Sequence, residues 1–386
     1  MRFPLAVTVA LTAALALAGC SADAPPPSSF VVPAPAASGG TPGSASASAP
    51  PASKSAAPSP SPTKRPKALP SPGNPGGRAN VPAEARAVDT GDPDRVIGKG
   101  TPASCTSAAV VAAVAAGGVI TFDCGPAPVT ITMRETAKVR NDHGPAVVLD
   151  GGGRVTLSGG GKRRILYQNT CDKAQRFTTS HCQDQATPRL TVQNLTFTEG
   201  NATGETVEGG GGGAIFVRGG RLKVINSRFT TNRCDGTGPD LGGAAIRVLS
   251  QSKNQPVYVV HSTFTGGRCS NGGALSSIGV SWTVLNSVFT GNRAIGRGAN
   301  PARGGTPGGG SGGAIYTDGD KFTVTIRGTV MRDNRANEGG GAIFFVSNDR
   351  TGSLSIGSST MRSNPSAGFE TSGHPGIFFL GAKISD

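Results

Sequence analysis

One short phrase recurs along residues 189–364 and leaves the chain few possible folds. In its clearest copy, the β-branched run Leu222 to Phe229 is followed by Asn232 and by the turn Gly242-Gly243-Ala244. A phrase that returns every two to four dozen residues is typical of a solenoid, in which each copy stacks on the last. The aromatic or methionine position returns at intervals of about 32, 35, 25, 42 and 30 residues, at Phe197, Phe229, Phe264, Phe289, Met331 and Met361.

The content of each unit indicates the kind of solenoid. Each copy holds two short β-branched runs separated by Gly or Asn, and these runs are too short for helices. The unit length also varies too much for helical repeats, whereas a β-helix coil accepts an insertion such as Gly296 to Ser311 at one corner. The sequence therefore predicts an all-β fold, a parallel β-helix.

The phrase resembles the repeat of polymorphic outer-membrane-type β-helix proteins, whose signature is GGAI with FxxN. Gly212-Gly213-Ala214-Ile215 is one copy of the first element, and Phe229 with Asn232 is a copy of the second. The preceding stretch, Gly117 to Leu166, resembles the opening coils of secreted, pectate-lyase-like right-handed β-helices. The resemblance spans roughly residues 97–386 and implies a right-handed parallel β-helix. It implies little about activity, because such solenoids serve as lyases, hydrolases, adhesins and inert stalks.

The N-terminus has the pattern of an export signal. Arg2 precedes an apolar run from Phe3 to Leu17, which is too short for a membrane span. The end of this run, Leu17-Ala18-Gly19-Cys20, resembles a bacterial lipobox, which implies cleavage before Cys20 and a lipid on its thiol. We expect a signal peptide at 1–19 and a lipid-anchored protein whose domain is extracellular or in the cell wall. The alternative is an ordinary secretion signal.

Residues 20–95 and 96–386 differ in composition. The first segment is rich in Pro, Ala and Ser and has hardly any large apolar residue, so we expect a disordered tether. Fully extended, it could reach roughly 200 Å. The β-helix is expected at 96–386, opened by a capping helix from Pro102 to Ala116. Thr106 or Ser107 is its N-cap, and Gly117 is its stop.

The cysteines predict disulfides. Of the seven, Cys20 is assigned to the lipid anchor, and an even number in an exported domain favours disulfides over a metal site. Cys234 and Cys269 each lie five residues after the Phe of their repeat, and coils stack about 4.8 Å apart, so the two can pair. Elimination and short spacing pair the others, Cys105 with Cys124 and Cys171 with Cys182.

Two polar columns accompany the repeat. Three residues before the Phe or Met position, a column mostly of asparagine predicts a structural amide ladder in which His261 is a replacement rung. His181 and His374 have no second His at metal spacing, so zinc is disfavoured and no metal site is predicted. The column's residues are Asn194, Asn226, His261, Asn286, Gly328 and Ser358.

Four residues after the Phe or Met position, four repeats carry arginine. Like charges at coil spacing repel each other by roughly 1 kcal/mol per close pair even in water. One interpretation is packing of the long aliphatic stems; the other is a cationic stripe that binds a uronate-rich or phosphate-rich glycan. The net charge of +14 favours an acidic partner. The column consists of Arg233, Arg268, Arg293 and Arg335.

Carboxylates do not form a column, although enzymes on this fold use paired carboxylates or an acidic calcium cluster. The nearest groups are Asp142 with Asp150, beside His143, and Asp318 with Asp320. Asp142, Asp318 and Asp320 lie in predicted turns, where Asp has backbone reasons to occur. They are weak catalytic candidates, and calcium is expected only if the protein is a lyase.

The predicted function is a surface lipoprotein whose β-helix binds acidic polysaccharide or cell-wall polymer without catalysis. The first alternative is a polysaccharide lyase or glycoside hydrolase acting on an acidic glycan. The second is a structural spacer of the cell surface. We expect a monomer with no cofactor and no nucleic-acid partner. Trp282 and Tyr316 are expected to serve packing, not sugar stacking.

Overall fold

The chain winds into a parallel β-helix. The computed structural model describes residues 70–142, 145–205 and 210–385, and the 16-, 8- and 3-stranded sheets of this part are parallel throughout. Each coil crosses three faces, and the next coil stacks on it in register. The predicted all-β parallel β-helix is confirmed.

The first two faces share the large sheet. Two long strands, Ala146–Ser158 and Arg189–Thr198, turn a corner and belong to both. The first face also contains Arg95–Ile97, Gly118–Phe122, Arg221–Ile225, Val257–Val260, Trp282–Leu285, Thr323–Arg327, Ser353–Gly357 and Lys383–Ser385. The second face also contains Val129–Thr132, Arg228–Thr230, Thr263–Thr265, Val288–Thr290, Val330–Arg332 and Thr360–Arg362.

The third face is the eight-stranded sheet. It consists of Ala137–Lys138, Leu166–Asn169, Ile215–Arg218, Ile246–Ser250, Leu275–Ile278, Ile315–Asp318, Ile343–Val346 and Ile377–Leu380. Between the second and third faces lie the short strands Arg268–Cys269, Arg293–Ala294 and Arg335–Ala336. Single 3-10 turns are Ala83–Ala85, Pro102–Ser104, Lys173–Gln175, Cys182–Asp184 and Ser252–Asn254.

The predicted capping helix is present as helix α1, Ser107–Ala116. It begins at Ser107 and not at Pro102, because Pro102–Ser104 forms a separate 3-10 turn. The Thr106 hydroxyl accepts a hydrogen bond from the Ala109 amide at 3.2 Å, which satisfies one of the free amides of the first turn. Gly117 ends the helix with φ +70°, a conformation that glycine adopts without a steric cost. Val110 and Val114 are fully buried, so the helix closes the end of the core.

The core is built from side chains of equal repeat position. Phe197, Phe229, Phe264 and Phe289 stack with ring centroids 4.7 to 5.0 Å apart. Met331 continues the column in register with Phe289, and Met361 follows it. Trp282 and Tyr316 are buried as well, as expected. Each added coil therefore extends one continuous apolar stack.

The asparagine column forms the corner between the first two faces. Its members have φ between +46° and +59°, and Asn tolerates this left-handed region better than most residues. Asn226 donates to Asn194 at 2.6 Å, and the Asn286 amide contacts the His261 ring at 3.2 Å. The predicted ladder is present over these rungs, with His261 as a rung.

A second amide ladder, which was not predicted from the sequence, lies inside the solenoid. Asn292 donates to the Asn334 side chain at 2.9 Å, and Asn334 donates to the Asn364 side chain at 2.9 Å. All three are buried. They are the asparagines of the FxxN signature, so this part of the phrase is a structural device.

Three disulfides join the predicted pairs. Cα–Cα distances are 5.7 Å for Cys105–Cys124, 5.0 Å for Cys171–Cys182 and 4.8 Å for Cys234–Cys269. The last pair links neighbouring coils at equal repeat position, which is the reason for its prediction. The first pair links the segment before α1 to the turn that follows the strand Gly118–Phe122.

Residues 70–94 form a strap along the first corner and first face. Gly73 donates to Thr263 at 2.8 Å, and Asn74 donates to the Gly328 carbonyl at 2.8 Å. Further along the strap, the Val88 amide donates to the Gln193 side chain, and the Gln193 side chain donates to the Val88 carbonyl, both at 2.9 Å. The predicted tether therefore ends earlier than residue 95, and its residues 20–69 lie outside the described residues. Composition did not reveal the strap because it is held mainly by backbone groups and small side chains.

Candidate functional site

The four arginines form a straight surface column, the basic stripe (Arg233, Arg268, Arg293 and Arg335). Arg233 pairs with Arg268, Arg268 with Arg293, and Arg293 with Arg335 as neighbours across parallel rungs. All four are exposed. The intervening residues, Cys234, Cys269, Ala294 and Ala336, point inward and are buried. The alternation of a strand explains why every arginine of the stripe faces solvent.

Three of the four guanidinium groups have no partner in the described part of the chain. Arg233 donates to the Gly161 carbonyl at 2.5 Å. Arg268, Arg293 and Arg335 form no side-chain hydrogen bond or ion pair with a described residue. The donors of these three side chains are thus available to a ligand.

The second face adds further polar groups beside the stripe. Threonines occupy one outward column on four successive rungs, and Arg332 and Arg362 extend it. Thr230 donates to Thr198 at 2.9 Å, and Arg332 lies 3.6 Å from Asp333. These two arginines were not predicted as part of a site, although both lie one residue after the Met of their repeats.

The first predicted aspartate group serves structure. Asp142 forms an ion pair with Arg176 at 3.6 Å, and His143 lies outside the described residues. Asp150 is buried. Burial opposes its ionisation, but hydrogen bonds from Gln193, Gly152, Asn194 and Thr90 hold the pKa of this carboxyl below its usual range. Asp150 is thus a fixed anion that ties the strap to the corner.

Asp318 and Asp320 bind different partners. The Asp318 carboxylate accepts hydrogen bonds from Tyr316 at 3.0 Å and from the Gly319 amide at 2.7 Å. Among the described contacts, Asp320 uses its backbone carbonyl, which accepts from Ser347 at 2.8 Å. Asp318 thus ends the strand Ile315–Asp318, and Asp320 lies in the bend after it. Their catalytic role stays a prediction.

The structure instead brings Asp318 close to Asp240, a pairing that the sequence did not suggest. Asn300 Nδ2 lies 3.2 Å from a carboxylate oxygen of each, so those two oxygens are within about 6.4 Å of each other. The Asn300 amide also donates to the Tyr316 hydroxyl at 2.7 Å. Loops from two coils meet here over the third face, so no repeat position could indicate this contact.

A buried arginine lies under this acidic cluster. Arg247 is 1% exposed, and its Nη2 donates to the Asp240 carbonyl at 2.6 Å. Burial lowers the pKa of Arg247 to about 10, and burial raises the pKa of Tyr316. Arg247 therefore stays charged at neutral pH, and Tyr316 stays a neutral hydrogen-bond donor.

Residues 70–142, 145–205 and 210–385 contain no group of three or more His, Cys, Asp or Glu placed to hold a metal ion. Over these same ranges, no helix has the length and apolar character needed to cross a membrane. Cys20, the predicted lipid attachment site, lies outside the described residues. Its lipidation stays a prediction.

Residues 286–318 match the Chlamydia polymorphic membrane protein repeat. The matched segment is one coil and contains Phe289, Asn292 and the turn Gly312-Gly313-Ala314-Ile315, the residues that carry the predicted resemblance. Comparisons with curated proteins and with solved structures give no match. The chain therefore carries a repeat of a type found in surface-exposed, outer-membrane-associated proteins.

Proposed function

We propose that this chain is a cell-surface protein whose β-helix binds an acidic polysaccharide through the basic stripe, without catalysis. The observation that carries the proposal is the register of Arg233, Arg268, Arg293 and Arg335 on consecutive rungs. Their backbone positions form a line parallel to the solenoid axis. A linear polyanion laid along this line meets one cation per coil.

The electrostatics of the stripe without a ligand support the binding proposal. Stacked cations repel each other, and three of them form no bond with a described residue that would offset the repulsion. Carboxylate groups of a polymer would remove the repulsion and accept charge-assisted hydrogen bonds. The net charge of +14 acts in the same direction by attracting acidic polymers over a longer range.

A surface location is supported by the repeat match and by the export signal. The matched repeat is named for membrane proteins of Chlamydia. The lipobox-like Leu17-Ala18-Gly19-Cys20 provides an anchor in this proposal, and the segment after it provides reach. Attachment at Cys20 places the stripe in the cell wall or beyond it.

The test is retention of the whole protein on polygalacturonate at several salt concentrations. The stripe variant carries serine at all four arginines. The control variant carries serine at four exposed cations away from the stripe, Arg154, Arg189, Lys321 and Lys383, so both lose the same charge. We expect the stripe variant to bind at least about tenfold more weakly, equivalent to about 1.4 kcal/mol, with a flatter salt dependence. Equal losses of affinity in both variants would mean that net charge alone drives retention and would overturn the proposal that the stripe is the binding site.

The second candidate function is a hydrolase or lyase acting on an acidic glycan. The observation that favours it is the proximity of Asp240 and Asp318 around Asn300, because a carboxylate pair within about 10 Å is what glycoside hydrolysis needs. The retention experiment also tests for catalysis if new reducing ends and unsaturated products are measured with and without calcium. Product that disappears in Asp318→Asn would replace the binding proposal with an enzyme.

A further inference from the structure

An open cleft lies at the first coils, on the third face, and includes no arginine of the basic stripe. It has a volume of about 610 Å³ and is bounded by helix α1, by the strands Ala137–Lys138 and Leu166–Asn169 of the third face, and by the loop that begins at Cys171. Further along the solenoid the same outward column is buried, at Phe216, Arg247, Tyr316 and Phe344. The cleft is thus a place where the third face is accessible.

The floor of the cleft is an aromatic ring with a cation above it. Tyr167 is the middle rung between Lys138 and Phe216. Phe216 stacks on it with centroids 5.5 Å apart and an angle of 15°. Lys138 Nζ lies 5.7 Å from the Tyr167 centroid. Because Phe216 occupies the neighbouring rung on one side, a ligand reaches the Tyr167 ring from the Lys138 side.

Two disulfides brace the walls. Cys105–Cys124 holds the segment that leads into α1, whose Val111 and Ala115 line one wall. Cys171–Cys182 closes the loop that carries Asp172, a residue of the other wall. The cleft is therefore preformed, which reduces the entropy lost when a ligand binds.

Some charged groups of the cleft have hydrogen-bond or ion-pair partners, and others have none in the described part of the chain. Arg164 is 4% exposed and binds the carbonyls of Gly211 and Gly212 at 2.8 and 3.1 Å, with Glu205 at 3.4 Å. Asp172 accepts from the Tyr167 hydroxyl at 3.1 Å. In the described part of the chain, the Lys138 ammonium and the Glu135 carboxylate form no hydrogen bond or ion pair.

Asp172 keeps its negative charge in this setting. Burial opposes its ionisation, but hydrogen bonds from Gln175, the Ala174 amide and Tyr167, together with the Lys138 charge, hold the pKa of Asp172 below its usual range. Burial raises the pKa of Tyr167 to about 12. The cleft thus offers a neutral ring, the fixed carboxylate of Asp172, and the Lys138 ammonium, which lies over that ring and forms no hydrogen bond or ion pair in the described part of the chain.

We infer that this cleft binds a single uronic-acid residue, at a chain end or branch of the polymer. The apolar face of the sugar ring stacks on Tyr167, and its carboxylate pairs with Lys138. Its hydroxyls donate to Glu135 and Asp172. The lining carries three carboxylates, Glu135, Asp172 and Glu205, beside three cations, Lys138, Arg140 and Arg164. This balance disfavours a dianion such as phosphate, and the Lys138 ammonium favours an acid over a neutral sugar. The inference deepens the proposed function and rests on it for the identity of the polymer.

The experiment measures binding of glucuronic acid, galacturonic acid and glucose to the whole protein by titration calorimetry and saturation-transfer NMR. We expect Lys138→Ser to weaken binding of a uronic acid at least about tenfold. Tyr167→Leu should do the same by removing the stacking face, whereas Tyr167→Phe keeps the ring and should retain affinity within about threefold. Lys383→Ser, at an exposed lysine on the last strand, is the matched control.

The two proposals fail in different ways. If the stripe variant loses polymer retention but still binds the monosaccharide, both stand. If the monosaccharide does not bind while the stripe retains polymer, the cleft inference alone falls. Equal affinity for glucose and the uronic acids, or an unchanged affinity in Lys138→Ser, would overturn it as well. Thermal unfolding of Lys138→Ser confirms that an exposed residue was changed without loss of the fold.

Discussion

At the residue scale, the buried asparagines of FxxN stabilise the stacking of coils. Asn334 is fully buried. It donates to Asn364 and to the Phe289 carbonyl at 2.9 and 3.1 Å, and it accepts from Asn292. All of its side-chain capacity is therefore used between coils, where water cannot replace it.

Replacement of Asn334 by alanine leaves buried donors and acceptors of two neighbouring coils without partners. We expect Asn334→Ala to lower the free energy of unfolding by about 3 kcal/mol, measured by urea denaturation. The control is Asn337→Ala, whose amide binds the Ile295 carbonyl at 3.0 Å near the surface. It should cost less than about 1 kcal/mol. Similar losses in both variants would contradict a special role for the buried ladder.

Ionisation of Asp150 makes the free energy of unfolding depend on pH. Because its folded pKa lies below its usual value of 3.8, the carboxylate stabilises the fold above that pH, and the contribution is lost as pH falls through the folded pKa. We expect Asp150→Asn to be less stable than the native protein at pH 7, with the difference shrinking below about pH 4. Denaturation curves between pH 2.5 and 7 measure this. A difference that does not change with pH would show that ionisation of Asp150 is not involved.

At the element scale, the turn of the strap contains two adjacent glycines, Gly76 and Gly77, and only Gly77 is tightly packed against the solenoid. A Cβ on Gly77 would lie 2.6 Å from the Asn286 side-chain oxygen and 2.8 Å from the Gly328 carbonyl. A Cβ on Gly76 would lie 3.5 Å from Asn74, an ordinary contact. The two positions therefore separate steric displacement of the strap from general effects of substitution.

We expect Gly77→Ala to lift the strap from the first corner, because the backbone carbonyl of Gly328 cannot move aside as a flexible side chain can. Hydrogen exchange at the amides of Gly73, Ala79 and Val88 should rise at least about tenfold, while exchange in the core strands stays as in the native protein. Gly76→Ala should leave exchange unchanged. Equal exchange in the two variants would mean that the strap is held elsewhere, for example by the apolar cluster around Ala85 and Tyr258.

At the scale of the whole molecule, the sequence predicted several columns of the repeat, and outside the repeat it predicted the capping helix and two disulfides. It did not predict the contacts that loops make across coils. In a β-helix, equal repeat positions become vertical columns, so the Phe stack, the basic stripe and the pair Cys234–Cys269 follow from spacing alone. The strap, the cluster of Asp240 with Asp318 and the cleft at Tyr167 depend on loops and on the cap. Their paths are set by packing across many coils and not by a local pattern.

The last 19 residues show the same limit, since residues 368–386 leave the repeat phrase. Yet Ile377–Leu380 pairs in register with Ile343–Val346, and Lys383–Ser385 pairs with Ser353–Gly357. The chain end thus continues two faces of the solenoid without the phrase that marks them. Backbone pairing to an existing edge needs β-forming residues but no particular signature.

Stability of the stripe variant decides between the two interpretations of the arginine column. If the arginines are there for packing, replacing Arg233, Arg268, Arg293 and Arg335 by serine removes the cover that their stems give to the coil edges and lowers stability. If they form a ligand site, the replacement removes repulsion between stacked cations. We then expect unfolding free energy at 10 mM salt to be unchanged or higher by about 1 kcal/mol, with the difference fading at high salt.

The control variant with serine at Arg154, Arg189, Lys321 and Lys383 removes equal charge from unstacked positions, so any gain common to both reflects net charge alone. A loss of more than about 1 kcal/mol confined to the stripe variant would establish packing as the role of the column. Residues selected to bind a partner can reduce stability when the partner is absent, so their removal should not lower the free energy of unfolding. Weaker polymer binding in a stripe variant that is at least as stable as the native protein can then be assigned to lost contacts with the polymer.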